Sequence, residues 1–339
     1  MRVVVVGAGV MGASAARALA RGGHDVTVLE QFAFGHKRGS SHGATRVFRL
    51  SYPVAGYVRM AMESLDLWRE LERETGEDLL RTTGGLDAGK VLDDHVVALH
   101  ECGAECEVLD REEAAARFPW LRPGEGPLLF QADGGVSSAE RAVQAFLRSA
   151  AEHGATVEEN TKVASLRDTG GGVVVETPSG DLEADVAVVT AGGWVRKLVE
   201  PLGIDVPVRP TRETVAYFDF DEPRLTTLVE WGDPSVYCLP GGPGVLKVGE
   251  HQAGATTDPD DEGPVDEESV ARLSDWVARR FPAANPKPIN AETCIYTNTS
   301  DDSFVLERHG NVVVGSPCSG HGFKFAPLIG KRLAELAAG

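Results

Sequence analysis

The chain opens with "MRVVVVGAGVMG", Met1 to Gly12. Val3 to Val6 is an unbroken β-branched run, the pattern of a strand buried on both faces of a parallel sheet. Gly7, Gly9 and Gly12 follow in GxGxxG spacing, and "ASAARALARGG" reads as a helix stopped at Gly22 or Gly23. "DVTVLE" is then a second strand with Glu30 at its end. A turn of this kind aims backbone N–H groups and a helix N-terminus at a pyrophosphate, and a terminal acid can accept from a ribose hydroxyl. A lone GxGxxG says little. With the strand, the helix and Glu30 all in place, it predicts a dinucleotide site.

The 339 residues suffice for one large or two moderate domains around a substantial core. A formal net charge of −18 excludes the basic footprint that nucleic acid requires. It equally opposes adsorption to an anionic membrane surface. The apolar N-terminal run breaks at Gly7 and reads as strand and turn rather than leader, and no stretch reaches transmembrane length, so a cytoplasmic protein is expected. Five cysteines in a chain this long suit reduced thiols rather than a disulfide framework. Cys102 and Cys106 have no second cysteine pair to complete a zinc site, and no metal is expected.

Immediately after the opening unit comes "GSSHGATRVFRL", Gly39 to Leu50, a flexible cationic segment in an acidic chain. An amphipathic helix is predicted from about Tyr57 to Thr75, with Val58, Ala61, Leu65, Trp68 and Leu71 on its buried stripe. "SSAE" offers a capping box between Ser137 and Glu140 for another helix. Two short strands around Gly170–Gly172 and the buried run "ADVAVVTAGGW" follow. From about Pro207 the pattern alternates with period two: "ETVAYFDF", "SVYCLP", "GVLKVGEH". The acidic run "DPDDEGPVDEE" reads as a solvated loop and helix N-terminus. "NVVVGSPCSGHGFKFAPLIGKRLAEL" then repeats the opening order of strand, glycine turn and helix. The fold class is therefore α/β, a Rossmann-type nucleotide domain (1–84, 130–205 and 297–339) interleaved with a sheet-rich substrate domain (85–129 and 206–296). In NAD enzymes the βα alternation usually continues after the second strand. Its interruption here favours a flavin.

In their order, "GAGVMG", "GSSHGATRVFR", "GVLKVGEH", "CIYTNTSDDSFVLE" and "SGHGFKF" resemble the monomeric sarcosine oxidase and N-methyltryptophan oxidase family of flavin amine oxidases, over nearly the whole chain. The resemblance implies a glutathione-reductase-like fold and FAD, joined covalently to Cys294, with Cys318 as the rival by chemistry alone. It implies that Arg49 and Lys324 grip a substrate carboxylate, which suits a planar bidentate donor beside a point charge. It places Arg46 and His42 near the flavin, Lys247 over its ring in the reaction with oxygen, and His251, Tyr296 and Tyr237 around the amine. Tyr237 sits one residue closer to Lys247 than the family spacing. The Gly320–Gly322 loop precedes the last helix, whose N-terminal N–H groups would face the flavin pyrimidine and favour its anionic reduced form.

The implied activity is oxidation of a secondary or N-methyl amino acid. Hydride leaves the carbon next to nitrogen for flavin N5, giving an imine, and oxygen is reduced to hydrogen peroxide. Its partners would be a small anionic amino acid and O2, acting on a monomer. Three alternatives stand beside it: a biosynthetic oxidase or dehydrogenase of a cyclic or carrier-linked imino acid, an NAD-dependent dehydrogenase, and a non-catalytic nucleotide-binding regulator. Relatives usually continue beyond the last helix, where this sequence stops at Gly339, a difference bearing on surface packing and pocket closure.

Overall fold

The computed structural model describes residues 1–89 and 92–339. Strand Arg2–Val6 lies between two parallel neighbours, Asp25–Leu29 and Val186–Val189. Thr156–Glu158 and Val312–Ser316 extend the sheet in parallel, and antiparallel Val305–His309 closes one edge. The four valines of the opening run alternate across this sheet. Val3 and Val5 pack into a cluster with helices Val10–Arg21, Ala139–Glu152 and Ala326–Ala338. Val4 and Val6 pack against a three-stranded antiparallel layer, Ser165–Asp168, Val173–Thr177 and Gly180–Ala184. Each buried valine side chain contributes about 1.5–3 kcal/mol of transfer free energy, which is why the run forms the centre of the sheet.

The second sheet has nine strands. At its centre, antiparallel strands Arg209–Asp219, Val245–His251 and Ser235–Gly242 lie side by side. Asn290–Asn298 pairs with the first of these, and Thr227–Trp231 with the last. Strand Gly85–Gly89 joins Thr227–Trp231 in parallel, bringing together segments some 140 positions apart. One face carries Ala216, Phe218, Cys238, Leu246 and Val248 onto Leu273, Trp276 and Val277 of helix Glu267–Arg280. Alternation therefore sends Tyr217, Tyr237, Lys247, His251, Cys294 and Tyr296 to the other face. That face becomes one wall of a cavity.

Two local expectations change. Helix Ala55–Thr75 starts two residues before the expected point and ends at Gly76 with φ 70°, and the expected stripe is buried except at partly buried Leu65. The capping box does not form. Ser137 lies in strand Gly135–Ser138, which pairs with Thr45–Phe48, and the helix begins after Ser138. Glu140 instead accepts from the Gly43 N–H at 3.0 Å and so anchors the cationic segment. No helix among the described residues is long and apolar enough to cross a membrane.

Candidate active site

A cavity of about 680 Å³ runs from the opening glycine turn to the face of the second sheet. In the glycine turn that lines it, Gly7 has φ 96°, and a Cβ there would stand 2.8 Å from the Thr190 carbonyl oxygen. A Cβ on Gly12 would lie 1.8 Å from the Gly7 carbonyl oxygen, so only glycine lets the helix approach the strand. Gly9 is the N-cap of helix Val10–Arg21, and Ser41 Oγ accepts from Val10 N at 3.0 Å. Glu30 lines the cavity but already accepts from Ala8 N at 2.9 Å and Phe32 N at 3.1 Å. Burial opposes its charge, yet these bonds and His36 hold the carboxyl below its ordinary range. Glu30 thus shapes the turn as well as presenting an acceptor.

In the middle of the cavity the cationic segment meets the second sheet. Arg46 donates to the carbonyls of Ser40 and His42, at 2.9 and 2.5 Å. His42 is buried and both its ring nitrogens lack a partner. Burial, then Arg46, lowers its pKa to about 4, with Glu292 pulling the other way. Lys247, 5 % exposed, is lowered to about 7 by burial and then by Arg46. Cys294 and Cys318 both line the cavity. Burial pushes both thiols up, Cys294 to about 11 even though Arg46 and Lys247 favour its thiolate. Cys318 Sγ also accepts from Thr297 N at 3.3 Å.

At the far end Arg49 and Lys324 are both buried and both line the cavity. Lys324 Nζ donates to Tyr52 Oη at 2.9 Å and the His321 carbonyl at 2.7 Å. Its backbone carbonyl is fixed by Ser64 and by Trp68 Nε1. Burial and Arg49 push the Lys324 pKa well below its usual value. The Arg49 guanidinium donates to the Ser51 carbonyl and sits 4.2 Å over the Tyr52 ring. His251 and His321 are held neutral, near pKa 4 and 3: burial comes first, and both cations add to it. Tyr237 lies opposite Gly249 and so on the face of Lys247 and His251. Burial raises the Tyr237 and Tyr296 phenols, keeping both neutral.

The N–H groups of His321 and Gly322 donate to the Cys318 carbonyl at 2.9 and 3.0 Å and close the turn before the last helix. Gly320 lines the cavity and is required sterically: a Cβ there would meet Tyr296 at 2.2 Å and His251 at 2.7 Å. Gly322 lines it as well.

The structure also brings in residues the sequence reading missed. Glu292 lines the cavity two positions before Cys294, on the same face, and accepts from Tyr217 Oη. Strand alternation alone could have found it. Trp231, Asp87 and Thr190 arrive by pairings between distant segments, for which the sequence carries no local signal.

Unpartnered buried groups facing this cavity, the His42 nitrogens, Thr297 Oγ1 and Ser316 Oγ, together with the glycine cradle, fit a large polar-tipped cofactor. Fold and site thus define a dinucleotide-dependent redox enzyme whose reacting end is walled by a sheet. The family model "FAD dependent oxidoreductase" matches residues 2–336, and the chain belongs to that family, in the branch that holds the sarcosine oxidases. A human peroxisomal sarcosine oxidase is 35% identical, covering 98% of this chain and 91% of its own. A monomeric sarcosine oxidase of Bacillus sp. (strain NS-129) is 33% identical over 99% and 92%. The solved structure of NikD, described as an unusual amino acid oxidase essential for nikkomycin biosynthesis, superposes with a TM-score of 0.89 at 28% identity, covering 99% and 93%. The cofactor is therefore FAD, and an NAD-dependent dehydrogenase is ruled out.

Proposed function

We propose that the protein oxidises the C–N bond of a small amino acid whose amine is secondary or N-methylated, with oxygen as the final acceptor. The observation carrying this reading is the meeting of Arg49 and Lys324 at the Tyr52 ring, both buried and both lining the cavity that the glycine turn also lines. When bound, FAD supplies the redox chemistry, taking up two electrons from the substrate and giving them to oxygen.

The chain's own residues would supply orientation and charge. The turn Gly7–Gly12, Glu30, His42 and Arg46 hold the cofactor, and Cys294 is the attachment residue the reading favours. Arg49 and Lys324 hold the substrate carboxylate by charge-assisted bonds. His251, Tyr237 and Tyr296 border the amine. All three stay uncharged at neutral pH, so they add no cation to repel it and no carboxylate to keep it protonated. Two buried cations nearby lower the amine's own pKa, and a neutral amine needs no strong general base. Lys247 provides positive charge where oxygen is reduced. The name of the Bacillus relative supports a monomer, and five free thiols support a reducing compartment such as the cytoplasm.

The test is a panel of N-methylated, cyclic and primary amino acids with hydrogen peroxide as readout. Secondary amines should be turned over, and Arg49→Met should raise KM about ten- to a hundredfold, the scale of one charge-assisted bond. Absence of peroxide with every amine ends this reading. The likeness to NikD favours a second reading, a cyclic imino acid in biosynthesis, which the cyclic members of the panel address. Acid precipitation decides the linkage: colour should stay with the protein pellet, and should leave it in Cys294→Ala but not in Cys318→Ala.

A further inference from the structure

The clamp end holds a carboxylate that no role above uses. Asp87 sits mid-strand in Gly85–Gly89, 3 % exposed, while its neighbours Leu86 and Ala88 pack into the opposite core. Its Oδ1 accepts from Trp231 Nε1 at 2.9 Å and lies 4.0 Å from Arg49 Nη1. The Arg49 guanidinium in turn stands 5.0 Å over the Trp231 ring. Trp231 and Arg49 line the cavity, and Asp87 touches both. A buried carboxylate between an indole N–H and a guanidinium is expensive unless it is satisfied by both, so its charge belongs to the clamp's own balance.

That balance is unusual for a site that grips anions. With a carboxylate bound beside it Lys324 keeps its proton, so that two cations, Arg49 and Lys324, face one anion, Asp87, and the neighbouring His251 and His321 add no charge at neutral pH. A single positive charge is left over. A substrate with one carboxylate completes it. A second carboxylate on the same molecule would be buried with no counter-ion, and Asp87 would repel it.

We propose that Asp87 is a positioning residue that sets the selectivity of the clamp: it cancels one cationic charge, so that a single carboxylate is accepted and a second rejected, and it pins the Trp231 indole as the wall beside Arg49. This rests on the clamp reading under the proposed function.

The test is binding rather than turnover, using two unreactive ethers with a common core, methoxyacetate with one carboxylate and diglycolate with two. Titration calorimetry on the FAD-loaded enzyme should show methoxyacetate binding at least tenfold tighter. Asp87→Asn, which is nearly isosteric and can still accept from Trp231, should shrink that ratio about tenfold by strengthening diglycolate. Asp87→Glu, which restores the charge, should return the preference. A purely structural role for Asp87 would weaken both ethers together and leave the ratio alone. Equal binding of the two ethers by the unmodified enzyme overturns the proposal and needs no variant. A ratio unchanged in a folded Asp87→Asn enzyme overturns it as well. If the amine panel yields peroxide and methoxyacetate binding depends on Arg49, such a failure belongs to Asp87 alone. If neither ether binds and no amine is oxidised, the parent reading fails and takes this one with it.

Discussion

A lysine buried beside an arginine holds its proton poorly, and Lys247 is such a residue. Burial and Arg46 lower its pKa to about 7, while Cys294 and Glu292 pull it up. The proton is therefore on Lys247 below about pH 7 and is lost as pH rises through that value. If its cation assists oxygen reduction, oxygen consumption by the reduced enzyme should fall across the same interval. Lys247→Met should lower that rate on the order of 10²-fold below about pH 7, the scale of losing one preorganised charge, and the gap should close as pH rises above that value. Stopped-flow mixing with oxygen measures it, and anaerobic reduction by the amine should survive. Unchanged reoxidation in the variant would remove the role given to this lysine.

At the scale of elements, the opening unit is held together by contacts that allow no side chain. A methyl on Gly12 would meet the Gly7 carbonyl oxygen at 1.8 Å and Thr190 Oγ1 at 2.6 Å, and both belong to rigid strand ends. Gly12→Ala should therefore push helix Val10–Arg21 off the sheet, destabilising the fold by about 1–3 kcal/mol as overpacking does. The flavin absorbance recovered per mole of purified protein should drop with it, and both are read on the same sample. This element was legible because its signal is local: a buried run, three glycines and a capped helix within 30 positions. The face shared by Lys247, His251, Cys294 and Tyr296 was legible too, since alternation within a strand is local. Register between strands was not: nothing local shows that Tyr237 lies opposite Gly249. Asp87 reached the site only through a parallel pairing with Thr227–Trp231. The failed capping box has the same cause, since the pairing of Ser137 with Arg46 outweighs a local cap.

For the whole molecule, two sheets with separate apolar cores face one cavity, and polar contacts between their loops help to close it. The acidic run expected to be a solvated loop is partly such a closure. Asp260 accepts from Trp194 Nε1 at 2.7 Å and from Lys197 at 2.6 Å, and its carbonyl accepts from Arg38 at 2.8 Å. Arg38 also pairs with Glu262 at 2.6 Å. Trp194, Lys197 and Asp260 all line the cavity, so these contacts tie the loop after strand Ala255–Thr256 of the second sheet to the connection after strand Val186–Val189 of the first. Exposed pairs of this kind contribute about 0.2–1 kcal/mol each and are screened by salt. The thioether expected at Cys294 would mask their effect, so the comparison belongs in a Cys294→Ala background. There, Asp260→Ala should speed FAD release a few-fold, followed as flavin fluorescence after dilution. Salt at 1 M should speed release from the Cys294→Ala parent more than from the double variant, in which the Lys197–Asp260 pair is gone while Arg38–Glu262 and Lys197–Asp258 remain. Equal release from both proteins at low salt would mean that the loop does not hold the cofactor, and that retention is governed by the glycine turn alone.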